Sequence, residues 1–408
     1  MENASKALLI TAAVLVAIIL IALGVKIFSS SVDTTSQAET IGKVITDKGK
    51  SATAIIAESL GKAGGSSLGG GTTVDGTISG EIVSGVATTG VWTDNGDGTF
   101  SKGETKVAIG DYVNYNEAGS GNWTADTSKG AGRKATFNLG KKYDITVGNP
   151  YTTENLGWRV LGVNNKGELE LISDRPHTEI LYLANEEGYL NAKDVLNGFC
   201  NTLYGKGTDE SGKVVATEAR SLNVDDINKL GNYDPTTYSG YGKEWIYRYP
   251  TEEEVSGTRY MQYSINEGTT WNNITSSSYQ EFRMPGSNTT ISVDNPGIQR
   301  LTYNYYKYTL SDRVKQITSD GKDMLDIILK GTLASKVSQW LASRTIFCGN
   351  SCVGFYVQYV SKDGYINNCY LYGSNVSYNM NGLLVRPVVT LKSDVQLSGN
   401  SADGWTIS

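Results

Sequence analysis

The chain has 408 residues, with 36 Lys and Arg against 42 Asp and Glu, giving a net charge of −6. That balance argues against a nucleic-acid binder, which needs a basic face for phosphates. A single histidine, His177, excludes a histidine-rich metal centre and leaves one candidate imidazole for Ser-His-Asp chemistry.

Leu8 to Val25 is an unbroken apolar run flanked by Lys6 and Lys26. At about 1.5 Å per residue it spans the hydrocarbon core of a bilayer. A cleaved signal peptide has a shorter apolar core, about 7–15 residues, so residues 1–28 are read as an uncleaved transmembrane anchor with lipid as partner. The large domain is placed outside a bacterial cell, because so few residues precede the span. Residues 29–63 keep Val32, Ile41, Val44, Ile45, Ile55, Ile56 and Leu60 near helical spacing and read as a helical stalk. A hydrophobic helix running into an amphipathic one ahead of a globular head resembles type IV pilins. That likeness implies homo-oligomers through the N-terminal helix. It lacks the family's basic leader, and Glu2 is the only acid near the start.

Residues 64–105 are Gly, Ser and Thr rich, a linker ending in a small hairpin at 91–100. The globular part is expected over 106–397, with a tail at 398–408. Residues 107–115 alternate like a strand around Gly110. Trp158–Val163 and Leu169–Ile172 read as a hairpin across Asn165-Lys166-Gly167. Asn223 is an N-cap for a short helix, with Asp225 and Asp226 in its first turn and Gly231 after it. Residues 323–341 read as a broken helical stretch. Residues 383–391 form a buried-type strand whose Pro387 implies an edge or a bulge. The fold class that follows is α+β, mostly antiparallel sheet with a few helices.

Catalysis has little support. No G-x-S-x-G elbow and no Walker or Rossmann glycine pattern occurs, and His177 follows Arg175-Pro176 in what reads as a surface loop. Glu252, Glu253 and Glu254 read as a solvated face. The cysteines Cys200, Cys348, Cys352 and Cys369 allow three full pairings, among which spacing cannot choose. No cofactor, no metal and no enzymatic activity are expected.

Residues 345–382 are the most informative stretch. Tyr, Asn, Gly and Ser supply 21 of its 38 residues, and only Lys362 and Asp363 are charged. This is the chemistry of antibody-like contact surfaces, where Tyr gives amphipathic contact area and small polar residues give adaptable hydrogen bonds. The candidate ligand contacts are Asn350, Tyr356, Tyr359, Tyr365, Asn367, Tyr370, Tyr372, Asn375 and Tyr378. In a regular strand Tyr370 and Tyr372 share a face, whereas Tyr356 and Tyr359 do not. Trp340, Arg344, Arg386 and Pro387 are assigned to scaffold.

The flanks WLASR (340–344) and VRPVVTLKSD (385–394), with IGDYVNY, WRVLGV, LELISDRP and ARSLNVDDINKL upstream, resemble a family of surface domains of Gram-positive bacteria. The closing R-P-V strand is similar to the C-type-lectin-like fold in its formylglycine-generating-enzyme branch. That branch includes the variable proteins of diversity-generating retroelements. The resemblance implies a C-type-lectin-like domain behind the transmembrane and stalk helix, displaying 345–382 as a variable surface to an extracellular protein or glycan. The enzymatic activity of that branch is not carried over, since nothing matches Cys348 and Cys352 to its copper-binding pair. The alternatives are a pilin-like subunit of a surface fibre and a hydrolase of cell-wall sugar.

Overall fold

The computed structural model describes residues 90–117, 121–136, 144–309, 316–318, 320–328, 337–375 and 378–408. The apolar run 8–25, the stalk and the linker to residue 89 lie outside the described residues. The described residues fall within one compact unit.

Among the described residues strand makes up 40% and helix 13%, so the α+β expectation is corrected: the unit is mainly β. No described helix is long and apolar enough to cross a membrane. The strand content overturns the expected α+β, C-type-lectin-like domain; the transmembrane helix expected ahead of it lies outside the described residues. The physical reason is local. Most apolar runs are short, alternate, and stop at Gly, Asn or Asp turns, which favours hairpins over helices.

Strands β1 (Thr93–Asp94), β2 (Thr99–Lys102) and β3 (Thr105–Ala108) form a three-stranded antiparallel sheet. Phe100 and Val107 from this sheet, with Trp92 just before it, belong to the main core. Lys102 Nζ donates to the carbonyls of Ser393 and Val395 at 2.6 and 2.7 Å. The domain thus begins before residue 106.

Strands β4 (Trp158–Val163) and β5 (Leu169–Ser173) form the expected hairpin, with Glu170 opposite Gly162. After β6 (Leu181–Ala184) comes α1 (Asn185–Tyr204), which the sequence reading missed. Glu186 and Glu187 in its first turn suit the positive end of the helix dipole. Tyr189, Ala192, Val195, Leu196, Phe199 and Leu203 line its buried face at helical spacing.

Strand β7 (Ala216–Ser221) leads into α2 (Val224–Gly231), capped as expected by Asn223. The Asn223 side chain accepts from the Asp226 amide at 2.9 Å, and Asp226 accepts from the Asn223 amide at 3.0 Å. This reciprocal cap satisfies two orphan donors. The helix ends at Asn232 in a left-handed conformation, φ 48°, one residue past the expected glycine.

A second sheet holds β8 (Glu244–Arg248), β9 (Met261–Ser264), β10 (Asn272–Ile274) and β11 (Ile298–Thr302), in the order β10-β9-β8-β11. The third holds β12 (Tyr308–Thr309), β13 (Gln339–Cys348), β14 (Val353–Val360) and β15 (Tyr365–Gly373), in the order β12-β15-β14-β13. Of the helical stretch expected over 323–341, residues 324–328 are helical, while Trp340 and Leu341 lie in β13.

Strand β16 (Met380–Leu383) pairs with β6. Strand β17 (Pro387–Leu391) is central, between β7 and β5, in the sheet β7-β17-β5-β4. The edge expectation for Pro387 is therefore wrong. Pro387 fits because it is the strand's first residue, where its missing donor costs least.

Strands β17 and β5 bury Val388, Val389 and Leu171. Strands β18 (Leu397–Asn400) and β19 (Gly404–Ile407) pair at the C-terminus, with Trp405 and Ile407 in the core. The segment 398–408 is part of the domain rather than a tail. Helix α1 packs against β7 of the central sheet and against β13 and β15 of the third.

Candidate functional site

The sequence places its contact residues on β13, β14, β15 and the segments joining them. These strands form two successive hairpins. A register shift between Phe355 and Tyr356 sets Tyr356 opposite Tyr370, and Phe355 opposite Tyr372. Leu371 is left over as the bulged residue, so Tyr370 and Tyr372 fall on opposite faces. The expectation that they share a face is corrected.

The two faces differ in cover. On the helix face, Phe355 and Tyr372 are 1% and 0% exposed. Phe355 packs on Tyr189 of α1 at 5.3 Å between ring centres, and Tyr372 on Phe355 at 5.7 Å. Among the described residues the Tyr372 hydroxyl has no hydrogen-bond partner, and burial raises its pKa above the phenol range.

The other face is crossed by residues 302–309, TYNYYKYT, a segment the sequence reading did not single out. At one edge, the Asn304 amide nitrogen donates to the Ile346 carbonyl at 3.2 Å. The Asn304 side-chain oxygen accepts from the Ile346 amide and, at 2.9 Å, from the Thr345 hydroxyl. In the middle, Asn368 Nδ2 donates to the Tyr306 carbonyl at 2.8 Å. At the far edge, Tyr308 pairs with Ile366 of β15. Strand β13 is one edge of this sheet and β12 the other, so the segment is a strap across the face. Asn228 of α2 fastens it from beyond: its Nδ2 donates to the Tyr306 hydroxyl, and its Oδ1 accepts from Tyr308, both at 3.1 Å.

The strap gathers half-buried rings into two groups. Tyr305 lies 5.7 Å from Tyr356 and 5.2 Å from Phe347, and Tyr356 lies 5.4 Å from Tyr370, all near edge-to-face. Tyr303 joins them at 5.8 Å from Phe347. Beyond the strap, Tyr233 stacks on Tyr308 at 3.9 Å and 11°. Gly354 makes the first group possible, because a Cβ there would sit 2.5 Å from the Tyr356 ring. Burial raises the pKa of Tyr356 and of Tyr303. Such rings offer broad amphipathic contact area whose ordering is already paid by packing.

The nine expected contacts do not form one surface. Tyr356 and Tyr370 meet beneath the strap. By alternation Tyr359 and Asn367, opposite one another, point to the other face. Tyr365 is exposed at the start of β15, and Asn350 is exposed in the β13–β14 turn. Tyr372 is core. Asn375 and Tyr378 are half-buried past the end of β15, with the Tyr378 ring 5.7 Å from Tyr372. Tyr303, Tyr305, Phe347, Tyr233 and Tyr308 were missed. The run of four tyrosines in six residues at 303–308 was the signal that could have found the strap.

Arg386, expected as scaffold, is fully buried, and among the described residues its guanidinium makes one contact, Nη2 to the Asp174 carbonyl at 3.3 Å. Burial lowers its pKa to about 9. His177 is not on the surface: it is 1% exposed, with Nδ1 2.9 Å from the Tyr204 hydroxyl and Nε2 3.5 Å from Glu154. All four cysteines are free, three buried and Cys352 exposed. Among the described residues no three His, Cys, Asp or Glu side chains gather into a metal set. No protein-family model, curated protein or solved structure matches the chain.

Proposed function

We propose that the chain is an extracellular ligand-binding protein, held at a bacterial membrane by the apolar run 8–25, that grips a protein or glycan through its tyrosine strap and the rings beneath it. The observation that carries this reading is the convergence of Tyr303, Tyr305, Phe347, Tyr356 and Tyr370, from the strap and three strands, into one half-exposed aromatic group. Binding surfaces concentrate their energy in a few aromatic anchors ringed by polar groups, and Asn350 and Tyr365 stand at the ends of the same sheet. Binding without catalysis is part of the reading.

The test is a pair of arrays, one of glycans and one of bacterial and host surface proteins, probed with the full chain in lipid nanodiscs. The expected result is a discrete set of hits that Tyr305→Ser abolishes. Hits that survive Tyr305→Ser and Tyr356→Ser together would move the binding surface elsewhere.

A further inference from the structure

Away from the strap, a cavity of about 210 Å³ opens between the β1–β2 turn, the β4–β5 hairpin and α2. Phe100, Ile109, Leu161 and Leu230 give it an apolar lining, and Glu170 and Asp226 line it as well. The two carboxylates are not equally engaged. Asp226 uses both oxygens, on Arg220 at 2.6 and 2.9 Å and on the Asn223 amide. Glu170 engages only Oε1, on Arg220 at 2.9 and 3.3 Å. Its Oε2 accepts no hydrogen bond from the described residues. Burial raises the Glu170 pKa, reinforced by Asp226 and opposed by Arg220 and, more weakly, by Lys229, so a cation held directly on Oε2 would stabilise the charged form further. Lys229, also at the rim, is committed loosely to Asp94 at 4.0 Å and is two-thirds exposed.

A carboxylate with one unused oxygen in an apolar lining of this size is complementary to a cation on a short hydrocarbon body. We propose that this cavity binds a primary ammonium on a short aliphatic stem, supplied either by a free amine or by a lysine side chain of a partner chain. The ammonium donates to Glu170 Oε2 while the stem lies on Phe100, Leu161 and Leu230. Gly162 keeps the cavity open. It sits opposite Glu170 in register, and a Cβ there meets only Lys229 Nζ and Phe100 Cζ at 3.9 Å, an ordinary contact. A Cβ at this position is therefore accommodated, and Gly162→Val places two further methyl groups at the cavity.

The experiment is titration calorimetry on the full chain with three probes: 1-aminopentane, pentan-1-ol and Nα-acetyl-lysine-N-methylamide. A charge-assisted hydrogen bond predicts that the amine binds at least about tenfold more tightly than the alcohol. Glu170→Gln is expected to erase that ratio, and Gly162→Val to remove binding of both while circular dichroism stays unchanged. Binding of the lysine derivative as tight as that of the amine assigns the site to a partner's side chain; binding of the amine alone assigns it to a small metabolite. Equal affinity for amine and alcohol, binding that survives Gly162→Val, or no heat from any probe overturns the proposal. If Glu170→Gln fails to fold, the ratio in the unaltered protein and the Gly162→Val result decide.

Discussion

On the helix side of the third sheet Phe355 and Tyr372 are sealed against α1, whereas on the strap side Tyr356 and Tyr370 keep part of their rings in solvent beneath Tyr305. The two pairs are neighbours in sequence and nearly identical in chemistry. One bulged residue, Leu371, separates a tyrosine that holds the fold together from a tyrosine available to a ligand. Tyrosine content alone therefore does not mark a binding surface; the face on which each ring emerges does.

The sharpest way to break this comparison is to truncate the sealed side. Tyr372→Ala removes a fully buried ring and leaves a cavity, and is expected to cost about 3–5 kcal/mol, read as a lower midpoint in urea. A cost near zero would mean that Tyr372 is not core.

The buried side should also be alkali-labile. Burial raises the thiols of Cys348 and Cys369 to about 12, and Tyr189 on α1 to about 12. Each folded pKa lies above its unfolded value, so each contributes stability that is whole below that value. The contribution is lost as pH rises, from about 9 for the thiols and about 10 for the phenol, through about 12. Urea midpoints measured from pH 8 to pH 11 should fall steadily, and less steeply in Cys348→Ala with Cys369→Ala.

How much of this was legible beforehand follows from range. The β4–β5 hairpin and the Asn223 cap were readable because turn residues and caps act over four or five positions. Helix α1 was missed because Gly188, Gly198 and four asparagines mask its apolar spacing, and its stability comes from packing on two sheets. The bulge at Leu371 depends on pairing with the strand before it, and the strap depends on partners dozens of residues away. No local pattern could sort Tyr370 from Tyr372, although both belonged to the correct region.

On the strap side the expected losses are smaller. Tyr305→Ser with Tyr356→Ser gives up edge-to-face contacts worth about 0.5–1.5 kcal/mol each, and thermal unfolding should shift by only a few degrees. Smallest of all is Tyr372→Phe. Its buried hydroxyl has no partner among the described residues, so removing it should be neutral or stabilising by up to about 1 kcal/mol. A loss above that would reveal a hydrogen bond to the hydroxyl.

The most direct measurement compares the two faces in one experiment. The full chain, Tyr305→Ser with Tyr356→Ser, and Tyr372→Phe are each measured for urea stability and for affinity toward an array-identified ligand. The expected result is that the strap variant loses at least about tenfold in affinity, about 1.4 kcal/mol, with its fold intact, while Tyr372→Phe changes neither quantity appreciably. Affinity that is retained in the strap variant but lost in Tyr372→Phe would contradict the assignment of the two faces.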